Sequence, residues 1–163
     1  KRSQNTAMAE KNQDQPVLVP VDFSRHAEAA LLAAVDLAAC FGQPLLVLHV
    51  VHDPGEMPGY YSRALKKKQL QRIEDGAAEM LDDFLNRVVK DHPELKKLKK
   101  VESLLVKGLP TTRILEVAEL RNARMIVIGS KGLTGIKHLV MGSVSERVVH
   151  FARVPVTVVK ARS

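Results

Sequence analysis

The fold is decided by the stretch Leu45-Leu-Val-Leu-His-Val-Val51, in which every residue except His49 is apolar. Strands that alternate apolar and polar residues have one face in water. Continuous apolar character is instead typical of a strand in a parallel sheet, covered by helices on both faces. We therefore expect strands and helices to alternate along the chain on both sides of this segment.

The residues before this strand predict another strand and a helix. Val17–Asp22 is a short, β-branched apolar run and indicates a buried strand. Ser24 is placed to cap the following helix, and Gly42 to end it in a left-handed conformation. Cys40, near the end of this helix, is expected to be a buried small hydrophobe. Apolar residues recur three or four positions apart along this helix and predict its inward face, which consists of Ala27, Leu31, Ala34, Ala38 and Phe41.

The same alternation continues to the end of the chain. Asp53–Tyr60 is rich in Pro and Gly and predicts a loop, in which Met57 and Tyr60 are candidates for a lid. The later helices are predicted at Ser62–His92, Thr111–Arg121 and Ser143–Phe151. The later strands are predicted at Val101–Val106, Arg124–Gly129 and Val154–Val159. The inward stripe of the long helix is predicted to be Ile73, Ala77, Met80, Phe84 and Val88.

Five strands alternating with four helices predict an open, parallel, Rossmann-like α/β sheet with helices on both faces. Right-handed crossovers favour the strand order 3-2-1-4-5. In that order the chain reverses direction between strands 1 and 4, so a ligand is expected beyond the carboxyl ends of those two strands. The residues there are Pro20–Ser24 and those from Gly129 onward.

The loop after strand 4 contains Gly129-Ser-Lys-Gly132, then nine residues, then Gly142-Ser-Val-Ser145. Small residues let backbone N–H groups approach anionic oxygens, and a helix N-terminus adds unpaired donors and a positive dipole end. We therefore expect a phosphate on the first amides of the last helix, with Lys131 and the hydroxyls of Ser143 and Ser145 adding contacts. The spacing is neither that of a P-loop nor the dinucleotide fingerprint.

This spacing resembles the G-2x-G-9x-G-[S/T] signature of the universal stress protein family, in its ATP-binding branch. The opening Val-Pro-Val-Asp22-Phe-Ser24 and the strand end Leu48-His-Val50 resemble two other landmarks of that family. The likeness runs from Pro16 to Lys160 and predicts one domain over residues 16–163. Residues 1–15 are polar and are expected to form a flexible tail, with Met8 a candidate natural start after a vector-derived remnant.

The resemblance implies where an adenine nucleotide would lie. Residues matching Pro20 and Asp22 lie against the adenine and ribose, and the residue matching Val50 contacts the base through its backbone. Mg²⁺ or Mn²⁺ commonly accompanies the triphosphate in the family. The expected contacts, including those along the ribose and phosphates, are Pro20, Asp22, Val50, Ile128, Gly129, Ser130, Lys131, Gly132, Gly142, Ser143, Val144 and Ser145.

The expected function is that of a cytoplasmic ATP-binding regulatory protein of the stress response, with an unidentified protein partner. The alternative is a slow ATPase or nucleotidyl-transfer enzyme on the same scaffold, for which Asp22 and His138 are the candidate bases. His49 and His52 form an H-x-x-H pair, but residues three apart on a strand point to opposite faces, which disfavours a shared metal. The family's dimer pairs the fifth strand, and the apolar edge Val154–Val159 independently favours a homodimer.

Composition excludes several other classes. No apolar run approaches the roughly 20 residues of a membrane span, and the single cysteine cannot form an internal disulfide. The net charge of +7 is compatible with a nucleic-acid partner, but the chain has no Trp and only 4% aromatic residues, which disfavours a base-stacking surface. Its lysine groups, Lys66–Lys68 and those within Lys96–Lys100, are interleaved with acidic residues and are expected to be solvated.

Overall fold

The computed structural model describes residues 15–52, 67–93, 101–133 and 141–161. Five strands and four helices alternate within these ranges. The strands are β1 (Val17–Pro20), β2 (Leu45–His52), β3 (Val101–Gly108), β4 (Met125–Gly129) and β5 (Val156–Val159). The helices are α1 (Arg25–Phe41), α2 (Lys67–Asp91), α3 (Pro110–Leu120) and α4 (Ser143–Phe151).

The strands form one parallel sheet in the order β3-β2-β1-β4-β5, which confirms the predicted fold class and strand order. At the centre, Val17 of β1 is aligned with Leu45 of β2 on one side and with Met125 of β4 on the other. Strand β5 begins at Val156 rather than at the predicted Val154. The Pro155 carbonyl accepts a hydrogen bond from the Ile126 N–H of the neighbouring strand β4, but proline has no N–H to donate, so regular pairing begins after it.

The continuous apolar strands are explained by a core on each face of the sheet. Val17 and Val47 pack with α1 and α2, whereas Leu18 and Ile126 pack with α3 and α4. All four are 0–1% exposed. Alternate residues of a strand point to opposite faces, so a strand buried on both sides has no position where a polar residue is favoured.

Helix α1 has the predicted caps. The side chain of Ser24 accepts a hydrogen bond from the Ala27 N–H, and Gly42 adopts a left-handed conformation with φ 63°. The prediction that Cys40 is buried is wrong: it is exposed. Cys40 follows the buried Ala38 by two residues, a rotation of about 200° that places it on the opposite side of the helix. Phe41, predicted to face inward, is 39% exposed and lies under the Arg124 guanidinium.

The inward stripe predicted for α2 is confirmed at Ala77, Phe84 and Val88 and is wrong at Ile73 and Met80. Ile73 and Met80, predicted to face inward, are 46% and 54% exposed. Leu81 is buried instead, and one residue corresponds to a rotation of about 100°, which turns Met80 out of the interface. Ile73 precedes Met80 by seven residues and so lies on the same outward side. The buried residues of α2 are Ala77, Leu81, Phe84 and Val88.

Some predictions concern residues outside the described ranges. These are the tail 1–15 except Gln15, the loop Asp53–Tyr60 with its lid residues, His138, the lysines within Lys96–Lys100, and Lys66 with the side chains of Lys67 and Lys68. Within the described ranges, no helix is both long and apolar enough to cross a membrane.

Candidate functional site

A cavity of about 620 Å³ opens over the carboxyl ends of the central strands. Its volume is in the range of small-molecule binding sites, and its position is the strand-order reversal where α/β sheets bind ligands. All of the contacts predicted from the sequence line this cavity except Ser130. The predictions from strand order and from the glycine spacing therefore converge on one place.

One wall of the cavity is apolar. Val50 and Ile128, at the ends of β2 and β4, are joined there by Pro110 and Ile114 of α3. Sequence reasoning missed Pro110 and Ile114. The available signal was position: Pro110 follows the carboxyl end of β3, which lies at the same edge of the sheet as the ends of β1 and β4.

Asp22 connects the two loops that border the reversal point. Its Oδ1 accepts a hydrogen bond from the Ser24 N–H at 3.1 Å, and its Oδ2 accepts one from the Leu133 N–H at 3.1 Å. A Cβ atom on Gly132 would lie 2.6 Å from Oδ2, so a glycine there lets the carboxylate approach. An ionised carboxylate offers about four acceptor sites. Two are used by backbone amides, so Asp22 can still accept hydrogen bonds from a ligand.

His49 has a defined tautomer beside Asp22. Its Nδ1 lies 2.8 Å from the carbonyl oxygen of Val21, which can only accept, so Nδ1 carries the hydrogen. The ring stacks on Phe23 with centroids 4.4 Å apart. Phe23 has φ 68°, a left-handed conformation that costs energy in a residue with a side chain, and such strain is common at functional sites.

His49 and His52 both border the cavity, because it lies over the strand ends and receives residues from both faces of the sheet. Within the described ranges, no three His, Cys, Asp or Glu side chains are placed to hold a metal ion.

The N-terminus of α4 faces the cavity. Gly142 is the N-cap residue and has no side chain with which to cap the helix, and the first backbone N–H groups of a helix have no intrahelical partner. These groups and the positive end of the helix dipole favour an anion. Ser143 is exposed, and Lys131 also lines the cavity.

Gly142 differs from Gly129 and Gly132, the other glycines of the loop that the structure describes. Its φ of −80° suits any residue, and a Cβ atom there would make ordinary contacts of 3.5–3.7 Å. On Gly129, by contrast, a Cβ atom would lie 2.7 Å from the His26 backbone carbonyl. Gly129 is thus required by packing against α1. Apart from the general preference of an N-cap for glycine over alanine or valine, no close contact in the described part of the chain requires a glycine at position 142.

Two serines of the loop are engaged by the protein itself. The Ser145 hydroxyl donates to the Gly129 carbonyl oxygen at 2.7 Å, so its hydrogen is already used. Ser130 is 1% exposed and does not line the cavity. The Ser130 N–H donates to the Val159 carbonyl, and the Ser130 carbonyl accepts from the Gly142 N–H.

Comparison with known proteins agrees with this architecture. The model of the universal stress protein family matches residues 15–160. A universal stress protein of Thermus aquaticus is 32% identical over 146 residues, which cover 88% of this chain and 97% of that protein.

Two solved structures share the fold over nearly their whole length. UspA of Lactobacillus plantarum superposes with a TM-score of 0.74 at 26% identity, covering 90% of this chain and 98% of that one. The Archaeoglobus fulgidus universal stress protein in complex with dAMP has a TM-score of 0.59 at 28% identity, with the same coverage of 90% and 98%. The family match and these relatives together show that the chain belongs to the universal stress protein family.

Proposed function

We propose that this chain binds an adenine nucleotide, with ATP as its principal ligand, in the cavity over β1 and β4. Gly142 is the observation that carries the proposal. It lies on the cavity wall at the N-cap position of α4, in a conformation that any residue could adopt. Close approach of a phosphate to backbone N–H groups explains a glycine that the fold does not require. The dAMP complex of the Archaeoglobus fulgidus relative supports the choice of an adenine nucleotide.

The proposed orientation follows from the chemistry of the walls. The base lies against the apolar side formed by Val50 and Ile114, and Asp22 accepts hydrogen bonds from the ribose. The phosphates then extend to the first amides of α4, with the Lys131 ammonium beside them. This orientation places every group of the nucleotide against a surface of matching polarity.

A divalent cation fits this arrangement. Mg²⁺ is usually held by one or two carboxylates together with the phosphates of its ligand. Asp22 is the one carboxylate on the described cavity wall, and it has acceptor sites left after its two backbone hydrogen bonds. When bound, Mg²⁺ or Mn²⁺ would neutralise phosphate charge.

The nucleotide is proposed to regulate binding of a protein partner in the cytoplasm, with the chain acting as a homodimer through the Val154–Val159 edge. Strand β5 is at one end of the described sheet and pairs there with β4 alone, so its other edge supports this mode of association. A slow ATPase or nucleotidyl-transfer activity is the alternative. On the described wall, both oxygens of Asp22 already accept backbone hydrogen bonds, which disfavours fast base catalysis.

The proposal is tested by titrating the nucleotide-free protein with ATP, AMP, GTP and adenosine in a calorimeter, with Mg²⁺ present. We expect saturable binding of ATP with one site per chain and weaker binding of GTP. Absence of binding at millimolar ATP would refute the proposal. Phosphate release measured on the same samples separates the two functions, since turnover well above background that is lost in Asp22→Ala with binding retained would favour the enzyme.

A further inference from the structure

Ser130 lies within the glycine motif but is directed into the protein. Its N–H donates to the Val159 carbonyl at 2.7 Å, and its carbonyl accepts from the Gly142 N–H at 2.8 Å. Its Oγ lies 3.3 Å from Nδ1 of His26. One buried residue thus contacts the end of β5, the start of α4 and the first turn of α1.

The His26 imidazole joins a further segment to this cluster. The Ala161 N–H donates to Nδ1 of His26 at 3.1 Å. Because a backbone N–H can only donate, Nδ1 carries no hydrogen, and the neutral ring has its hydrogen on Nε2. The Ser130 hydroxyl and the Ala161 N–H therefore share one acceptor nitrogen. Ala161 lies just beyond the end of β5.

Gly129 explains how His26 reaches this position. A Cβ atom on Gly129 would lie 2.7 Å from both the carbonyl carbon and the carbonyl oxygen of His26. A glycine there lets the first turn of α1 pack directly on the end of β4. That close packing brings the imidazole within hydrogen-bond distance of Ser130 and Ala161.

We propose that His26 and Ser130 are positioning residues of the nucleotide site, an inference that rests on the proposed function. They contact no ligand. They hold the segment Gly129–Gly132 and the N-cap Gly142 in the arrangement that presents the amides of α4 to a phosphate. Through Ala161, the same nitrogen fixes the chain that leaves β5, so the phosphate side of the site is connected to the proposed dimer edge.

The inference predicts a selective defect. Loss of the His26 acceptor loosens the loop that faces the phosphates, but leaves the apolar wall and Asp22 in place. ATP binding therefore weakens by a factor of roughly three to ten, the effect of one lost hydrogen bond, whereas adenosine binding is unchanged. A residue that only supports the fold would alter both ligands alike.

The experiment compares His26→Leu, which removes the acceptor, with His26→Asn, whose Oδ1 replaces Nδ1 at the same distance from the backbone. Calorimetry gives the dissociation constants of ATP and adenosine, and hydrogen exchange reports the amides of Gly142 and Ala161. We expect His26→Leu to weaken the binding of ATP but not that of adenosine, and to speed hydrogen exchange at both amides. His26→Asn should restore both properties. Ser130→Ala removes one hydroxyl from the same cluster and serves as the second variant if His26→Leu does not fold.

Two results would overturn the inference. One is an equal loss of affinity for ATP and adenosine in His26→Leu, and the other is a His26→Asn variant that behaves like His26→Leu. The proposed function can fail separately. If the wild-type protein binds neither ligand, exchange at Gly142 decides the positioning role alone, and an unchanged rate in His26→Leu contradicts it.

Discussion

Replacement of Gly142 separates the demands of the fold from those of the ligand. A Cβ atom at this position lies 3.5 Å from the Lys131 Cα and 3.6 Å from the Ser130 carbonyl oxygen, which are ordinary contacts. With φ at −80°, no strain is added. Because alanine is a poorer N-cap than glycine, we expect Gly142→Ala to lower the free energy of unfolding by no more than about 1 kcal/mol. Gly142→Val adds a larger side chain at a residue that lines the cavity.

The expected effect on binding is much larger. A hydrogen bond to a charged group contributes about 1.5–3 kcal/mol. A valine side chain that keeps the phosphate from two amides of α4 should cost about 3 kcal/mol or more, which raises the dissociation constant of ATP at least roughly a hundredfold. Adenosine, which has no phosphate, should bind Gly142→Val as it binds the wild type.

The assay pairs calorimetric titration with thermal denaturation of the same samples. Gly76→Ala is the matched control, because Gly76 lies on α2 with open space around its Cβ position. The expected pattern is a lost ATP signal at a nearly unchanged melting temperature. Unchanged ATP affinity in Gly142→Val would refute the reasoning and place the phosphates elsewhere. A collapse of the melting temperature would refute the claim that the fold does not require this glycine.

Three further predictions concern stability and ligand charge. Gly76→Ala should stabilise the protein by about 0.5–1 kcal/mol, because glycine in a helix loses more backbone entropy than alanine; a urea titration that shows no gain would contradict this. Gly129→Ala should destabilise it by about 1–3 kcal/mol through the clash with the His26 backbone, and wild-type stability in the same titration would be inconsistent with that packing. Lys131→Ala should weaken the binding of ATP more than that of AMP in calorimetry if the Lys131 ammonium contacts the outer phosphates. Equal losses of affinity for the two nucleotides would place the ammonium elsewhere.

The general architecture could be predicted because it depends on strong, local signals. Continuous apolar strands, caps such as Ser24 and Gly42, and strict alternation of elements lead to one strand order. Finer packing could not be predicted as well. On α2, Ala77, Phe84 and Val88 are buried as predicted, but Leu81 is buried in place of Ile73 and Met80. All of these are apolar residues at helical spacing, so only the neighbouring elements decide which of them at the margin of the stripe are buried.

At the candidate site, too, the general position could be predicted but the role of individual residues could not. Strand order and glycine spacing predicted where the cavity would lie, and the contacts expected from the sequence line it except Ser130. The motif spacing does not tell which glycine serves packing and which serves the ligand. Gly129 and Gly142 look alike in the sequence, but of the two only Gly129 is so close to another backbone, that of His26, that a Cβ atom would clash. Ser130 turns inward toward His26 and Val159. This orientation could not be predicted, because both partners come from distant segments of the sequence.

The most direct test of the account is the identity of the nucleotide that the protein carries. Freshly purified protein is denatured, and the released small molecules are identified by chromatography and mass. The account predicts adenine nucleotide near one per chain, with ATP or ADP the principal species. Protein that releases no nucleotide, and that also fails to bind added ATP at millimolar concentration, would contradict it.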